Sequence, residues 1–183
     1  MTVFITGGCK NGKSTFALQQ ALRLSGTGLH YYLATMEPCD AHEWACVRVH
    51  RATRAGMGFV TLEWPRKLAA ALPLVDTQAT FLLDSVTALL TNEMFSADGM
   101  DTAAPDRVQA DLARFLHTVR HAVIVSDYLY DDGVKYLSES EDFRRGLAKI
   151  DCFLAQNCDC VVEICAGLPT VHKGKLPEGN IWI

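Results

Sequence analysis

Apolar residues recur along this chain in two alternating rhythms. Short runs of consecutive apolar residues mark buried strands: 3–5, 30–34, 59–62, 79–84, 122–125 and 161–164. Between them, apolar positions return every three or four residues, as an amphipathic helix requires. One helix is expected over 14–24, a second from Asp40 to Arg54, a third over 85–95, a fourth from Pro105 and a fifth from Ser138 to about Leu154. Val108, Leu112, Phe115 and Val119 form the stripe of the fourth, and Phe143, Leu147, Ile150 and Leu154 that of the fifth. Asp40 with Glu43 and Ser138 with Glu141 have the spacing of capping boxes. Pro65 opens a segment of about two helical turns, 96–104 reads as a polar loop, and Gly167-Leu168-Pro169 ends the last strand. The tail from Lys173 to Asn180 reads as a loop, with Ile181-Trp182-Ile183 able to pair as an edge strand.

Strand and helix alternate without a repeat or linker over 183 residues, enough for one full core. The expected fold is α/β: a single P-loop NTPase-like domain, 1–183, with a mostly parallel central sheet flanked by helices. The class rests on Gly7-Gly8-Cys9-Lys10-Asn11-Gly12-Lys13-Ser14, which satisfies G-x-x-x-x-G-K-[ST] between the first strand and the first helix. Backbone N–H groups there wrap a phosphate, Lys13 meets the β/γ oxygens and Ser14 holds Mg²⁺. Asp84, the acid that closes the apolar run 79–83, is the candidate Walker B aspartate, and helix capping is its plainer role. Glu43, Val47, His50 and Arg54 share one helical face, with Arg51 beside them.

Composition narrows the partners. Apolar residues make up 49% and charged residues 21%, with mean hydropathy +0.09. A formal charge of −4 argues against a general nucleic-acid binder, which needs surplus Lys and Arg. No run is apolar enough to span a bilayer and no signal-peptide pattern opens the chain, so a cytoplasmic location is expected. Seven cysteines without an export signal suggest reduced thiols. Cys152, Cys158, Cys160 and Cys165 lack paired C-x-x-C knuckles and are expected to be buried apolar thiols, not a metal site.

Taken in order, several runs resemble the adenosylcobinamide kinase and adenosylcobinamide-phosphate guanylyltransferase family of cobalamin biosynthesis. They are Ile5 to Gly8 running into the phosphate loop, Tyr32 to Thr35, Arg48 to Arg54, Thr61 to Glu63, Leu83 to Thr87, Leu90 to Asn92, Phe143-Arg144 and Ala166 to Pro169. The resemblance implies that His50 takes GMP from GTP as a phosphoramidate and passes it to adenosylcobinamide phosphate. Ala34, Thr35, Met36, Arg51, Ala52, Thr53, Arg54, Glu63 and Asp84 would line the guanine nucleotide site. It also implies phosphorylation of the cobinamide hydroxyl with GTP or ATP, Mg²⁺ held by Ser14 and Asp84, a corrinoid substrate, a cytoplasmic location and a homo-oligomer, a trimer. The chain departs from the family after the strand 122–125. Asp127 and Tyr128 replace an Asn-Glu pair, and Lys135 stands where a proline usually ends the loop that includes Asp131, Asp132 and Gly133. Phe59 stands for a tryptophan and Arg145 for an aspartate. Two other functions fit the phosphate loop: a small-molecule kinase with no covalent histidine, and a nucleotide-binding regulator without turnover.

Overall fold

The computed structural model describes residues 1–97, 99–130 and 133–177. In chain order the elements are β1 (Thr2–Gly7), α1 (Lys13–Ser25), β2 (His30–Ala34), α2 (Ala41–Arg54), β3 (Val60–Glu63), a 3₁₀ segment (Leu68–Leu74), β4 (Thr80–Asp84) and α3 (Val86–Met94). They continue with β5 (Phe95–Ser96), β6 (Gly99–Met100), α4 (Ala104–Thr118), β7 (His121–Val125), α5 (Ser138–Asn157), β8 (Cys160–Cys165) and β9 (Leu168–Lys173). Seven strands make one sheet in the order β3-β2-β4-β7-β1-β8-β9. All its pairings are parallel except β8 with β9.

Alternation along each strand sends side chains to two cores. Val3 and Ile5, with Leu82, Val123, Val125, Val162 and Ile164, pack under Ala17, Leu18 and Ala21 of α1. Phe4, Phe81, Leu83, Ala122 and Ile124 meet the stripes of α3, α4 and α5 on the opposite face. There Phe81 stacks on Tyr31 with ring centroids 5.1 Å apart and meets the Phe115 ring edge-on at 5.5 Å. Strands covered on both faces need apolar residues at successive positions, as the runs of β1, β4, β7 and β8 show; β3, at the sheet edge, is mostly exposed.

Five local readings are corrected. The two helical turns expected from Pro65 are 3₁₀ turns that begin at Leu68, and the loop 96–104 contains the small antiparallel pair β5 and β6. Gly167-Leu168-Pro169 does not end the sheet: Ala166 (φ +49°) and Gly167 (φ +81°) make a two-residue turn, and β9 pairs antiparallel with β8. Positive φ at both central residues is the hairpin geometry whose twist matches the strands it joins. Ser138 forms no capping box. Leu137 is the N-cap residue, the Ser138 hydroxyl turns to Glu139, and Glu141 accepts from the Tyr136 N–H instead. The Asp40 box does form in part: Asp40 accepts from the Glu43 N–H at 2.7 Å, while Glu43 reaches back to the Cys39 N–H at 2.8 Å. Of the C-terminal cysteines, Cys158 and Cys160 are buried, but Cys152 and Cys165 are exposed. The proposed edge strand 181–183, and Asp131 and Asp132, lie outside the described residues.

One acid lies inside this framework. Asp151 on α5 is 3% exposed and accepts from the Tyr130 hydroxyl at 3.2 Å. Burial pushes its carboxyl up to about 7, against the pull of the Ser126 and Tyr130 hydroxyls and with help from the charge of Asp127. An unfolded aspartate titrates near ~3.9, so between these values the folded state binds the extra proton. This residue's contribution is therefore fully present below about pH 4 and is lost as pH rises through about 7. Asp151→Asn should flatten that slope and, at about pH 8, stabilise the protein by on the order of 1–3 kcal/mol. Denaturant melts of the two proteins across this pH range check it; parallel stability curves would refute the assignment.

Candidate functional site

Parallel pairing brings the carboxyl ends of β2, β4, β7 and β1 to one edge of the sheet, where open α/β sheets bind ligands. At β1 the chain leaves the sheet through Gly7, whose φ is +146°; a Cβ there would lie 2.3 Å from the Ile164 carbonyl oxygen. Only glycine allows this turn against β8. The loop then enters α1 with Gly12 at the N-cap, no side-chain cap and no acid in the first turn. The helix N-terminus keeps its N–H groups and positive end for an anion.

Lys13 is 5% exposed. Its Nζ donates to the Gly8 carbonyl at 2.7 Å and meets the Asp127 carboxylate at 2.7 Å. The Asp127 backbone N–H is held by the Thr87 hydroxyl at 2.9 Å, and the Tyr128 N–H donates to the Gly7 carbonyl at 3.0 Å. The chain after β7 is thus fastened to the phosphate loop on one side and to α3 on the other.

A cleft opens at the same edge between α2 and the ends of β2, β3 and β4. Ala34, Met36, His50, Arg51, Arg54, Glu63 and Asp84 line it together with Tyr32 and Trp44. Helical spacing from Trp44 through Val47 to Arg51 and Arg54 explains why one face of α2 supplies five of the lining residues. Arg54 is 7% exposed and lies over the Tyr32 ring, 3.7 Å from its centroid. Tyr32 donates to Asp84 Oδ2 at 2.8 Å; burial, then the Asp84 charge, push its phenol well above the ordinary range, so the proton stays on tyrosine. Arg51 pairs with Glu63 across the rim.

The residues expected from sequence fall into three groups. His50, Ala34, Met36, Arg51, Arg54, Glu63 and Asp84 converge on the α2 cleft. The run Gly7 to Ser14 forms the separate phosphate loop and does not line that cleft. Thr35 is buried, its hydroxyl accepting from the Ser85 N–H and donating to the Ser85 carbonyl, so it clamps β2 to β4. Ala52 and Thr53 are exposed on α2 outside the lining. Glu43 serves the helix cap and not the cleft face. Asp84 lies two strands from β1, ~10 Å by strand spacing, because β7 intervenes. The acid in contact with Lys13 is Asp127, which sequence reading registered only as a departure from a pattern. Tyr32 and Trp44 were also missed as cleft residues; the three- and four-residue spacing from Trp44 to Arg54 was the available signal.

Hard oxygen donors at this edge suit Mg²⁺, which keeps waters and takes few carboxylates plus substrate phosphates. Among the described residues no group of three metal-ligating side chains forms. Ser14, at the start of α1, could hold the ion directly, and Asp84 could reach it only through a retained water.

Fold and loop together define a P-loop nucleotide-binding protein. Among solved structures, an ATPase domain superposes with a TM-score of 0.53 at 13% identity, over 88% of this chain and 68% of that one. A DnaB-like replicative helicase gives 0.52 at 13%, and an ATPase of a bacterial type III secretion system 0.52 at 12%; this chain spans 46% and 50% of them. These likenesses are of fold. The model of the cobinamide kinase / cobinamide phosphate guanyltransferase family matches residues 3–171, and the chain belongs to that family. No curated protein matches it. Membership makes the chain a nucleotide-binding transferase of cobalamin biosynthesis.

Lys13→Ala should weaken nucleoside triphosphate binding by at least about 100-fold, since a buried charge-assisted contact is lost and Asp127 is left facing the phosphates. Titration calorimetry with Mg²⁺ and GTP measures this; affinity within a few-fold of wild type would refute Lys13 as a phosphate ligand.

Proposed function

We propose that the chain carries both activities of its family, and that GMP passes through His50. The observation that carries this reading is the convergence of His50 with Arg51, Arg54 and Asp84 on one cleft at the ligand-binding edge of the sheet. In the first reaction the hydroxyl of adenosylcobinamide takes the γ-phosphoryl of GTP or ATP held by the loop from Gly7 to Ser14. In the second, a neutral His50 imidazole attacks the α-phosphorus of GTP. An N–P bond forms, the α–β bridging P–O bond breaks and pyrophosphate leaves. A phosphate oxygen of adenosylcobinamide phosphate then attacks the same phosphorus, the N–P bond breaks and adenosylcobinamide-GDP is released.

Arg51 on the rim is placed for phosphate charge once Glu63 gives it up. Arg54 is buried against Tyr32 and acts through it, holding Tyr32 and hence the Asp84 carboxylate in orientation. Trp44, 47% exposed at the cleft, offers a flat apolar face to a guanine base. Bound Mg²⁺ would neutralise charge on the phosphates. Of α2 only Arg54 is buried, and Val49 stands 63% exposed on it; this open surface supports a homo-oligomer, and a trimer is the state the family reading proposes. Among the described residues no helix is long and apolar enough to cross a membrane; a cytoplasmic location is what the family reading proposes.

One observation favours a second reading. The phosphate loop and the His50 cleft have separate linings, as a kinase acting on another alcohol without a covalent histidine would also show. Labelled GTP separates the two. With α-labelled GTP and Mg²⁺ the protein should acquire acid-labile, base-stable label, and His50→Ala should reduce it at least about 100-fold. Label that persists in this variant, or transfer from γ-labelled GTP alone, would remove the covalent route.

A further inference from the structure

A second cleft lies between α3 and α5, beyond the end of β7. Thr91, Phe95, Tyr128, Tyr136, Phe143 and Arg144 line a cavity of about 410 Å³, within the size range of small-molecule sites. Its walls are mainly aromatic: Phe95 and Phe143 lie 6.0 Å apart, and the Arg144 guanidinium sits 4.9 Å from the Tyr136 ring centroid. One covalent neighbour and one helical turn tie this cavity to the phosphate loop. Tyr128 follows Asp127, whose carboxylate touches Lys13. Thr91 lies one turn along α3 from Thr87, whose hydroxyl holds the Asp127 N–H, and Thr91 itself donates to the Thr87 carbonyl at 2.8 Å.

We infer that this aromatic cleft is the acceptor subsite of the phosphoryl transfer, and that Asp127 is the base that takes the proton of the acceptor hydroxyl. The inference rests on the kinase half of the reading above. The occupant is the apolar rim and alcohol-bearing arm of the corrinoid, because aromatic walls bind apolar ring faces and the acid in contact with Lys13 meets the alcohol. A Lys ammonium has three donors. Lys13 gives one to Gly8 and one to Asp127, so a triphosphate takes the third and competes with Asp127 for the second. The carboxylate is released as the γ-phosphoryl arrives, which couples the base to the presence of its co-substrate. In the step itself the acceptor oxygen forms a bond to the γ-phosphorus and the β–γ bridging P–O bond breaks. The nucleoside diphosphate leaves, the hydroxyl proton passes to an Asp127 oxygen, and Lys13 compensates the charge on the β-phosphate.

The test follows transfer from γ-labelled GTP to adenosylcobinamide, with GTP affinity measured separately. Asp127→Asn should lower kcat about 100-fold, the range of a lost general base, while GTP binds as tightly as before or more tightly, since asparagine no longer competes for Lys13. Asp127→Glu should restore part of the rate. A residue with only a structural role would instead weaken GTP binding and lower kcat no more than the acceptor affinity. Phe95→Ala should raise the acceptor KM about 10-fold and act on kcat much less. Transfer by Asp127→Asn within a few-fold of wild type would overturn the base, and an unchanged KM in Phe95→Ala would overturn the subsite. Wild-type protein that transfers no γ-phosphoryl to the corrinoid would overturn the kinase reading and this inference with it, an outcome distinct from either variant result.

Discussion

Parallel pairing in fixed register governs the molecule. Because Ala34 pairs with Asp84, Asp84 with Val125 and Val125 with Ile5, the ends of four strands reach the same edge together. Helices on both faces bury those strands, and the backbone groups leaving the sheet must find partners in the loops that follow. Thr35 with Ser85, Thr87 with Asp127, and the Gly7 carbonyl with the Tyr128 N–H are such partners. The same contacts that satisfy the edge also space its chemistry.

That spacing divides the edge into three parts. The α2 cleft with His50 stands over β2, β3 and β4, the phosphate loop rises from β1, and the aromatic cleft lies between α3 and α5 beyond the end of β7. Lys13 and Asp127 meet where the phosphate loop adjoins the segment after β7. The two clefts share no lining residue, and neither is lined by the phosphate loop. Arg54 illustrates how a charged residue serves such a site from inside. It lines the α2 cleft while buried over the Tyr32 ring, and Tyr32 in turn donates to Asp84.

The legible features were those with a local cause. Apolar runs, helical stripes and the glycine-rich turn followed from side-chain period and backbone sterics, which neighbours in sequence determine. Misreadings arose where the cause was distant or weak. Leu168 to Lys173 is an edge strand with six exposed residues, so no buried face marks it, and only the Ala166-Gly167 turn hints at the hairpin. Ser138 lost its cap because Leu137 takes the N-cap position and Glu141 turns to the Tyr136 N–H. Thr35 reads in sequence as a nucleotide contact; its hydroxyl clamps Ser85, fifty positions away, a contact no local pattern announces.

By itself the sequence determined the fold class, from the alternation of apolar runs and helical stripes along the chain, and the phosphate loop and the presence of His50, Arg51 and Arg54 on one helix, from spacing within short segments. Only the tertiary structure decided which acid meets Lys13. Asp84 and Asp127 both follow apolar strands and look alike in sequence; the strand order puts β7 beside β1 and β4 beyond it. Contact between Lys13 and Asp127 spans more than a hundred residues, and no local pattern encodes a neighbour that only sheet assembly supplies.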